Sequence, residues 1–455
     1  MRIILFSFVR RRRVAFYPKD LVDVFKILKQ VKENCVTVKC CGGTYPVSEN
    51  GDVLISLNNL RRILWYDPAE QILTVEAGVT LKEILKCVEY FNATLELYGT
   101  LPDMAVIDAV SIGLIGANGT IAQCIKACKV VSLHGDTIDC MWPCAEHVVD
   151  QSGKCDGNGT VCPTLQHVVC GLGCVGIVAS VTLKCVPIHL AQQVTYVCTV
   201  KEIPGISERL SAALYSELLW YPLINRIAVT NHYPIRLHQG FYQPLWKKVI
   251  ETAYILMHQI VTRVSPYMSW YFPDASAYLS RQQFGLVMKA ASCRTGFCFK
   301  PQKFVSVESY CKGIKWSIPR EHLPTLMQEI RSWAEKHKHF CSTPIVLCFQ
   351  TNKDLDLRKP LLCPYTDVST CTIWTDWFCN KNLMISYSAE MAEFESLLQK
   401  NFGRRCWSAG PVFISPLIGQ MYPGFKHWCS AKSVLDPDLI FRSPYVEGNL
   451  IIENC

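Results

Sequence analysis

The stretch Val36-Thr37-Val38-Lys39-Cys40-Cys41-Gly42-Gly43-Thr44-Tyr45-Pro46-Val47-Ser48 constrains this chain more than any other. It starts as an alternating β-branched run and breaks into adjacent glycines and a proline, the pattern of a strand running into a tight backbone loop. Paired glycines let the backbone take φ > 0 and approach a flat or charged partner with no Cβ in the way. Two more strands are predicted downstream, Val53 to Leu57 and Gln71 to Val79, the latter with Gly78 near its end. Helices are predicted around them. Leu21, Val24, Phe25, Leu28 and Val31 recur at helical spacing across Pro18 to Lys32, and Ile84, Leu85 and Val88 do so across Leu81 to Phe91. Strands alternating with helices at this spacing imply a layered α/β arrangement.

With 455 residues the chain is long enough for two or three domains, and with half of them hydrophobic and 18% charged it is not a disordered one. The net charge of +8 is scattered apart from Arg10 to Arg13. No aromatic-basic interleaving accompanies it, so no nucleic-acid partner is expected. The 25 cysteines are spread over the whole length. A chain this size needs no disulfide framework, and the pairs Cys124/Cys128, Cys140/Cys144 and Cys170/Cys174 lack zinc spacing and a histidine pair. They are read as reduced, small apolar residues, with no metal site. Sequons at Asn92, Asn118 and Asn158 matter only in a secreted chain. Ile3 to Val9 is too short for a signal peptide, and the arginines follow it instead of preceding it. Val249 to Thr262, broken by Glu251 and His258, is too short to span a bilayer; it reads as a buried helix or one lying on a membrane surface.

Gly171, Gly173 and Gly176 spell G-x-G-x-x-G. A dinucleotide fingerprint of the Rossmann kind needs a strand before it and a helix after it. Here a helix-like Leu165 to Cys170 precedes and a β-rich Ile177 to Val186 follows, so that reading fails. Val130 to Cys140 reads as a hairpin turning at Gly135.

These segments, in this order, resemble the FAD-linked aldonolactone oxidases of the L-gulonolactone oxidase type, whose flavin domain is of the vanillyl-alcohol-oxidase kind. That family reads V-x-V-x-G-G-G-H-S-x-S at the first loop, with Thr44 and Tyr45 here in place of the third glycine and the flavin-linking histidine. Leu172 to Pro187 matches L-G-C-L-G-V-x-x-x-V-T-L-x-C-V-P almost position by position. Asp103, Val106, Ser111 and Gly113 match a segment whose backbone N–H groups cradle the flavin pyrophosphate, although Leu114 and Ile115 stand where a threonine and a histidine are usual. Leu219-Trp220-Tyr221-Pro222, Lys315 to Glu321, Met421 to Phe425 and Leu435 to Phe441 match the substrate half.

The resemblance implies an α+β chain in two parts: an FAD-binding domain of the PCMH/VAO type over residues 1–188, itself of two subdomains, and an aldonolactone-oxidase substrate domain over 189–455. It implies FAD, held non-covalently given Tyr45, by Cys41, Gly42, Gly43, Thr44, Tyr45, Pro46, Asp103, Ser111, Gly113, Gly173, Gly176 and Ile177. It also implies a sugar-lactone substrate, O2 as acceptor and a microsomal (ER) membrane association, or else a cytoplasmic chain.

Alcohol oxidation on a flavin needs a group to take the hydroxyl proton and a cation to steady the reduced ring. The family supplies Glu and Arg two apart on one strand, then a His-Trp-x-Lys segment. Here Val346 and Cys348 occupy the first pair, and Cys406 and Ala409 take the His and Lys places around Trp407. Lys353, Arg404 and Arg405 are the nearest other cations and are expected to face solvent. Low lactone oxidase activity is expected, down to a catalytically degenerate flavin-binding or scaffold protein.

Overall fold

The protein is described from a computed structural model, which covers residues 14–34, 36–42, 53–97, 103–133, 135–143, 163–206, 209–210, 212–235, 243–294, 298–299, 311–349, 359–364, 369–378, 389–407 and 418–441. Helix α1 (Leu21–Glu33) begins where Asp20 accepts the Asp23 N–H at 2.9 Å, and it buries Val24, Ile27, Leu28 and Val31. It lies beside a parallel sheet of β1 (Val14–Phe16), β2 (Val38–Cys41) and β3 (Val53–Ser56), in the order β1-β3-β2. Strands β4 (Ile63–Asp67) and β5 (Ile72–Glu76) lead into α2 (Leu81–Tyr90), which opens on a reciprocal Thr80/Glu83 capping box.

Then come β6 (Ala93–Thr94), α3 (Val106–Ile112), α4 (Ile121–Cys124), β7 (Ile125–Val131), β8 (Thr137–Met141), α5 (Leu165–Val168), β9 (Ile177–Lys184) and β10 (Val186–Pro187). An antiparallel five-stranded sheet, β4-β5-β9-β7-β8, forms the second layer, and Gly135 (φ +86°) makes the expected turn between β7 and β8. The segment read as an anion-cradling loop differs: seven of its residues coil into α3, all of whose side chains except Ser111 are buried.

The second half is an antiparallel sheet of eight strands: β11 (Ala191–Cys198), β12 (Tyr215–Tyr221), β13 (Arg226–Pro234), β14 (Cys298–Phe299), β15 (Cys311–Pro319), β16 (Ile345–Phe349), β17 (Thr370–Phe378) and β18 (Arg404–Arg405), ordered β14-β11-β13-β12-β16-β17-β15-β18. One face packs Leu218, Trp220, Trp316, Leu347 and Ile373 together with α8 (Leu323–Lys336) and α9 (Ala389–Lys400). The other face is partly covered by a helical hairpin, α6 (Leu245–Tyr271) and α7 (Ser276–Arg294), through the edge-on contact of Phe284 with Tyr221 at 5.7 Å.

The chain then returns to its beginning. After α10 (Ile418–Met421), helix α11 (Phe425–Leu435) and the residues just after it place Phe425, Trp428, Ile440 and Phe441 in the core of the first half. The Val38 N–H donates to the Ile440 carbonyl at 2.8 Å, so β2 is held by the last described residues of the chain. Among the described residues sixteen cysteines are free thiols, mostly buried as expected, while Cys429 is disulfide-bonded.

Candidate functional site

Short α3 is the hub of the first part of the site. At its start Gly42 donates its N–H to Asp108 Oδ1 at 2.8 Å, and a Cβ on Gly42 would sit 2.2 Å from the Ala105 Cβ. At its end Gly113 takes φ +59°, and a Cβ there would meet the Cys170 sulfur at 2.0 Å. Only glycine fits either place. The N–H groups of Cys170 and Leu172 donate to the carbonyls of Val110 and Ser111, each at 3.0 Å, pinning the second glycine loop to the same helix.

Cys170 and Leu172 both hold φ near +60°, a left-handed conformation costly for residues with a Cβ, where the surrounding fold must enforce it. Gly173 (φ +73°) has no neighbour within 4 Å of where a Cβ would be, so this loop is open on that side. Gly176 crosses β7, with the Val131 carbonyl 2.9 Å from its missing Cβ, and Ile177 starts β9.

The structure thus gathers Cys41, Gly42, Ser111, Gly113, Gly173, Gly176 and Ile177 about one helix. Asp103 instead lies on the surface, 3.5 Å from Lys82. Gly43, Thr44, Tyr45, Pro46 and Ala409 lie outside the described residues. Gly42, Gly113 and the open Gly173 lie beside the buried apolar Leu114, Ile115 and Ala117, backbone and apolar surface of the kind a flat dinucleotide could lie against. Because a helix precedes the G-x-G-x-x-G run and a strand follows it, it serves as a loop edge and not as a Rossmann turn.

The second part of the site is the sheet face turned toward this wall. Ala117 of the first half packs with Tyr215 and Cys348, with Val346 beside them. Strand register carries a polar row across this face: Arg404, Ser317, Thr372, Cys348, Glu217, Thr230 and Thr195 are successive partners on β18, β15, β17, β16, β12, β13 and β11. Alternation along strands sends all seven to one side. The next level holds Lys315, Trp374, Val346 and Leu219. All four of these, and Glu217, are only half-buried.

Cys348 and Cys406 do not replace the missing ionisable groups. Burial pushes both thiols up to about 12, the charge of Glu217 adding to the effect at Cys348. Cys406 packs with Ile115 and Cys363, and Trp407 is fully buried, its indole N–H donating to the Leu362 carbonyl at 2.7 Å. Arg405 corrects the solvent-facing expectation: it is buried 3.5 Å from Glu395. Lys353 lies outside the described residues.

Sequence reasoning missed four groups near this face: Glu217, His232, Arg294 and Lys315. Burial raises the Glu217 carboxyl to about 7 against the opposing pull of Arg294, and burial lowers His232 to about 4. His232 stacks on Tyr215 with ring centroids 4.1 Å apart. Lys315 lies over the Trp374 ring at 4.2 Å. Arg294 pairs with Glu251 and donates to Gln193 Oε1 at 3.3 Å. Only strand pairing between residues far apart in sequence brings them together, so no local motif signals them.

A glycine-walled cradle facing the polar side of a large antiparallel sheet defines a two-domain flavoprotein of the PCMH/VAO type. The model of an FAD binding domain matches residues 13–141, and that of D-arabinono-1,4-lactone oxidase matches 181–449. L-gulonolactone oxidase of Mus musculus is 23% identical over 453 residues, covering 95% of this chain and 94% of that one. The mitochondrial L-galactono-1,4-lactone dehydrogenase of Arabidopsis thaliana is 25% identical over 236 residues, 49% of this chain and 35% of that one. Among solved structures, a solvent-stable cholesterol oxidase superposes with a TM-score of 0.70 at 13% identity, covering 95% and 94% of the two chains. Berberine bridge enzyme from Eschscholzia californica does so with 0.58 at 14%, covering 95% and 89%. The chain belongs to the D-arabinono-1,4-lactone oxidase family, and its cofactor is FAD.

Proposed function

We propose that this protein is an FAD-linked oxidoreductase acting slowly on a small sugar lactone of the L-gulono-1,4- or D-arabinono-1,4-lactone type, with O2 as the acceptor. The observation that carries the reading is the half-buried, polar sheet face lying against Ala117 beside the glycine cradle. Bound FAD would supply the acceptor for a hydride from the alcohol carbon. The chain's own part is to hold the lactone against that face, exclude water and manage the hydroxyl proton. Val346 can do none of the proton work and Cys348 stays a neutral thiol. Lost acid-base help slows such a step by roughly 10²–10⁴-fold, which is why turnover is slow.

Tyr45 in place of a histidine supports non-covalent flavin. An absorption spectrum of the purified chain before and after acid precipitation tests this. Flavin bands should appear and leave with the supernatant; bands retained in the pellet would overturn the non-covalent part, and no bands at all would remove the oxidoreductase reading. Anaerobic mixing with L-gulono-1,4-lactone should then bleach the flavin slowly. Flavin that never bleaches would instead favour a catalytically degenerate flavin-binding protein of this fold.

The α6–α7 hairpin supports peripheral attachment to a membrane, in keeping with a microsomal (ER) location. It is inside out: Glu251, Ser265, Ser269, Ser280 and Gln283 are buried, while Leu245, Trp246, Val249, Leu256, Met257 and Ile260 are exposed. A hairpin that buries hydroxyls and exposes large apolar side chains is suited to an apolar surface outside the chain. Lys247 and Lys248 beside Trp246 fit anionic headgroups. Among the described residues no helix is long and apolar enough to cross a membrane. Flotation with phosphatidylserine vesicles should carry the wild type upward and leave a Trp246→Ser, Val249→Ser, Ile260→Ser variant below. Equal flotation of both, or of neither, would discard the attachment.

A further inference from the structure

One ionisable group on the sheet face has no counterpart in the Glu-and-Arg strand of the resembling enzymes. Glu217 is the register partner of Cys348, on the strand next to the one that carries Val346 and Cys348. It faces the side of the sheet against which Ala117 packs, and it has no hydrogen-bond partner among the described residues. Beside it on the same strand face, Tyr221 is fully buried, its hydroxyl without a hydrogen-bond partner among the described residues. Arg294, delivered by the end of α7, lies near both Glu217 and His232. A carboxyl that no described residue hydrogen-bonds, on a half-buried sheet face with a cation nearby, is an arrangement for receiving a polar ligand.

We propose that Glu217 is the proton acceptor of this site: it takes the hydroxyl hydrogen of a polyhydroxylated lactone from one strand over, in place of the carboxyl absent at Val346. This rests on the FAD-linked lactone reading above. In the step, the O–H proton passes to a Glu217 oxygen and the carbon's hydrogen leaves with its electron pair to FAD, the family's oxidant. The lactone keeps a carbonyl where the alcohol was. Arg294, itself paired with Glu251, adds positive potential on the same side.

Around Glu217 stand Cys348 from β16, His232 from β13, Tyr221 from its own strand and Arg294 from α7. Burial holds His232 down to about 4 and Cys348 up to about 12, and it raises Tyr221 well above its ordinary value. The carboxyl therefore governs any charge change near neutral pH.

The test compares the full-length wild type with Glu217→Gln, which keeps size and shape, and Glu217→Asp, which keeps the charge but shortens the reach. Flavin bleaching by L-gulono-1,4-lactone should rise through about pH 7 in the wild type. It should fall about 100-fold and lose that pH dependence in Glu217→Gln, with Glu217→Asp between the two. Calorimetric titration with the same lactone gives a reading independent of turnover: affinity above pH 7 should weaken several-fold in Glu217→Gln, by about the strength of one charge-assisted hydrogen bond. Unchanged affinity and an unchanged bleaching profile in Glu217→Gln would overturn the proposal. If the wild type binds the lactone without bleaching, the redox reading fails alone, and loss of that binding in Glu217→Gln still supports Glu217 as the ligand-facing carboxyl. A flavin-loaded wild type that binds no lactone overturns both.

Discussion

A carboxyl that ionises near neutral pH inside a protein works against folding, and Glu217 should show this in the pH dependence of stability. Its folded value of about 7 lies above the ordinary 4.5, so the native state holds the proton more tightly than the unfolded chain. Stability is then fully present below about 4.5 and is lost as pH rises through 7, by on the order of 3 kcal/mol for a shift of this size. His167, His232 and His258 pull the other way: burial lowers each to about 4, so the stability they cost in acid returns as pH climbs toward 6.5. The wild-type curve mixes these opposing slopes. The difference between wild type and Glu217→Gln isolates one of them, and thermal unfolding should find the variant more stable at pH 8 and equal at pH 4. A difference independent of pH would mean that the carboxyl is solvated and not enclosed.

At the scale of elements, α11 ties the two halves together through one buried ion pair. Lys432 Nζ lies 2.9 Å from Asp436 Oδ2 and 3.2 Å from the carbonyls of Cys174 and Phe441. Asp436 in turn accepts the N–H groups of Ile440 and Phe441, at 2.8 and 2.9 Å. The Leu435-Asp436-Pro437 motif is therefore a clasp on the open glycine loop and not a catalytic element. Lys432→Met leaves Asp436 charged and buried, which should cost roughly 3–5 kcal/mol and lower flavin retention because the Cys174 carbonyl loses its anchor. Urea unfolding alongside the ratio of flavin to protein absorbance measures both; a variant as stable as wild type would show the clasp to be dispensable. The hairpin carries a different lesson. Its α6 helix is legible from apolar spacing, but spacing alone leaves open a buried helix or one on a membrane surface, whereas the fold buries Ser265 and Ser269 and leaves Val249 and Ile260 outside.

At the scale of the whole molecule, local signals placed the elements well. The helices expected from apolar spacing near Pro18 to Lys32 and Leu81 to Phe91 form, Gly135 turns a hairpin, and the run from Gly171 to Lys184 leads from loop to strand. Leu219 to Pro222 and Lys315 to Glu321 proved to be strand ends running into single 3-10 turns, whose tryptophans, Trp220 and Trp316, are core packing. Motif order made the family and FAD legible, because the glycines answer to backbone geometry that each position imposes by itself. Register is another matter. Glu217, Cys348, Thr372 and Ser317 share a row only because four strands, far apart in the chain, pair at one offset, and a slip of one residue would turn each side chain to the other face. Arg294 arrives from a helix whose docking depends on the fold around it, and Phe441 bridges to Val38 of β2 from the far end of the chain. Amino-acid order alone settled which segments are strands and helices and where backbone must pass without side chains, since those follow from local sterics and periodicity. Which charges meet across the site was decided by tertiary pairing, since that energy exists only once distant segments come together.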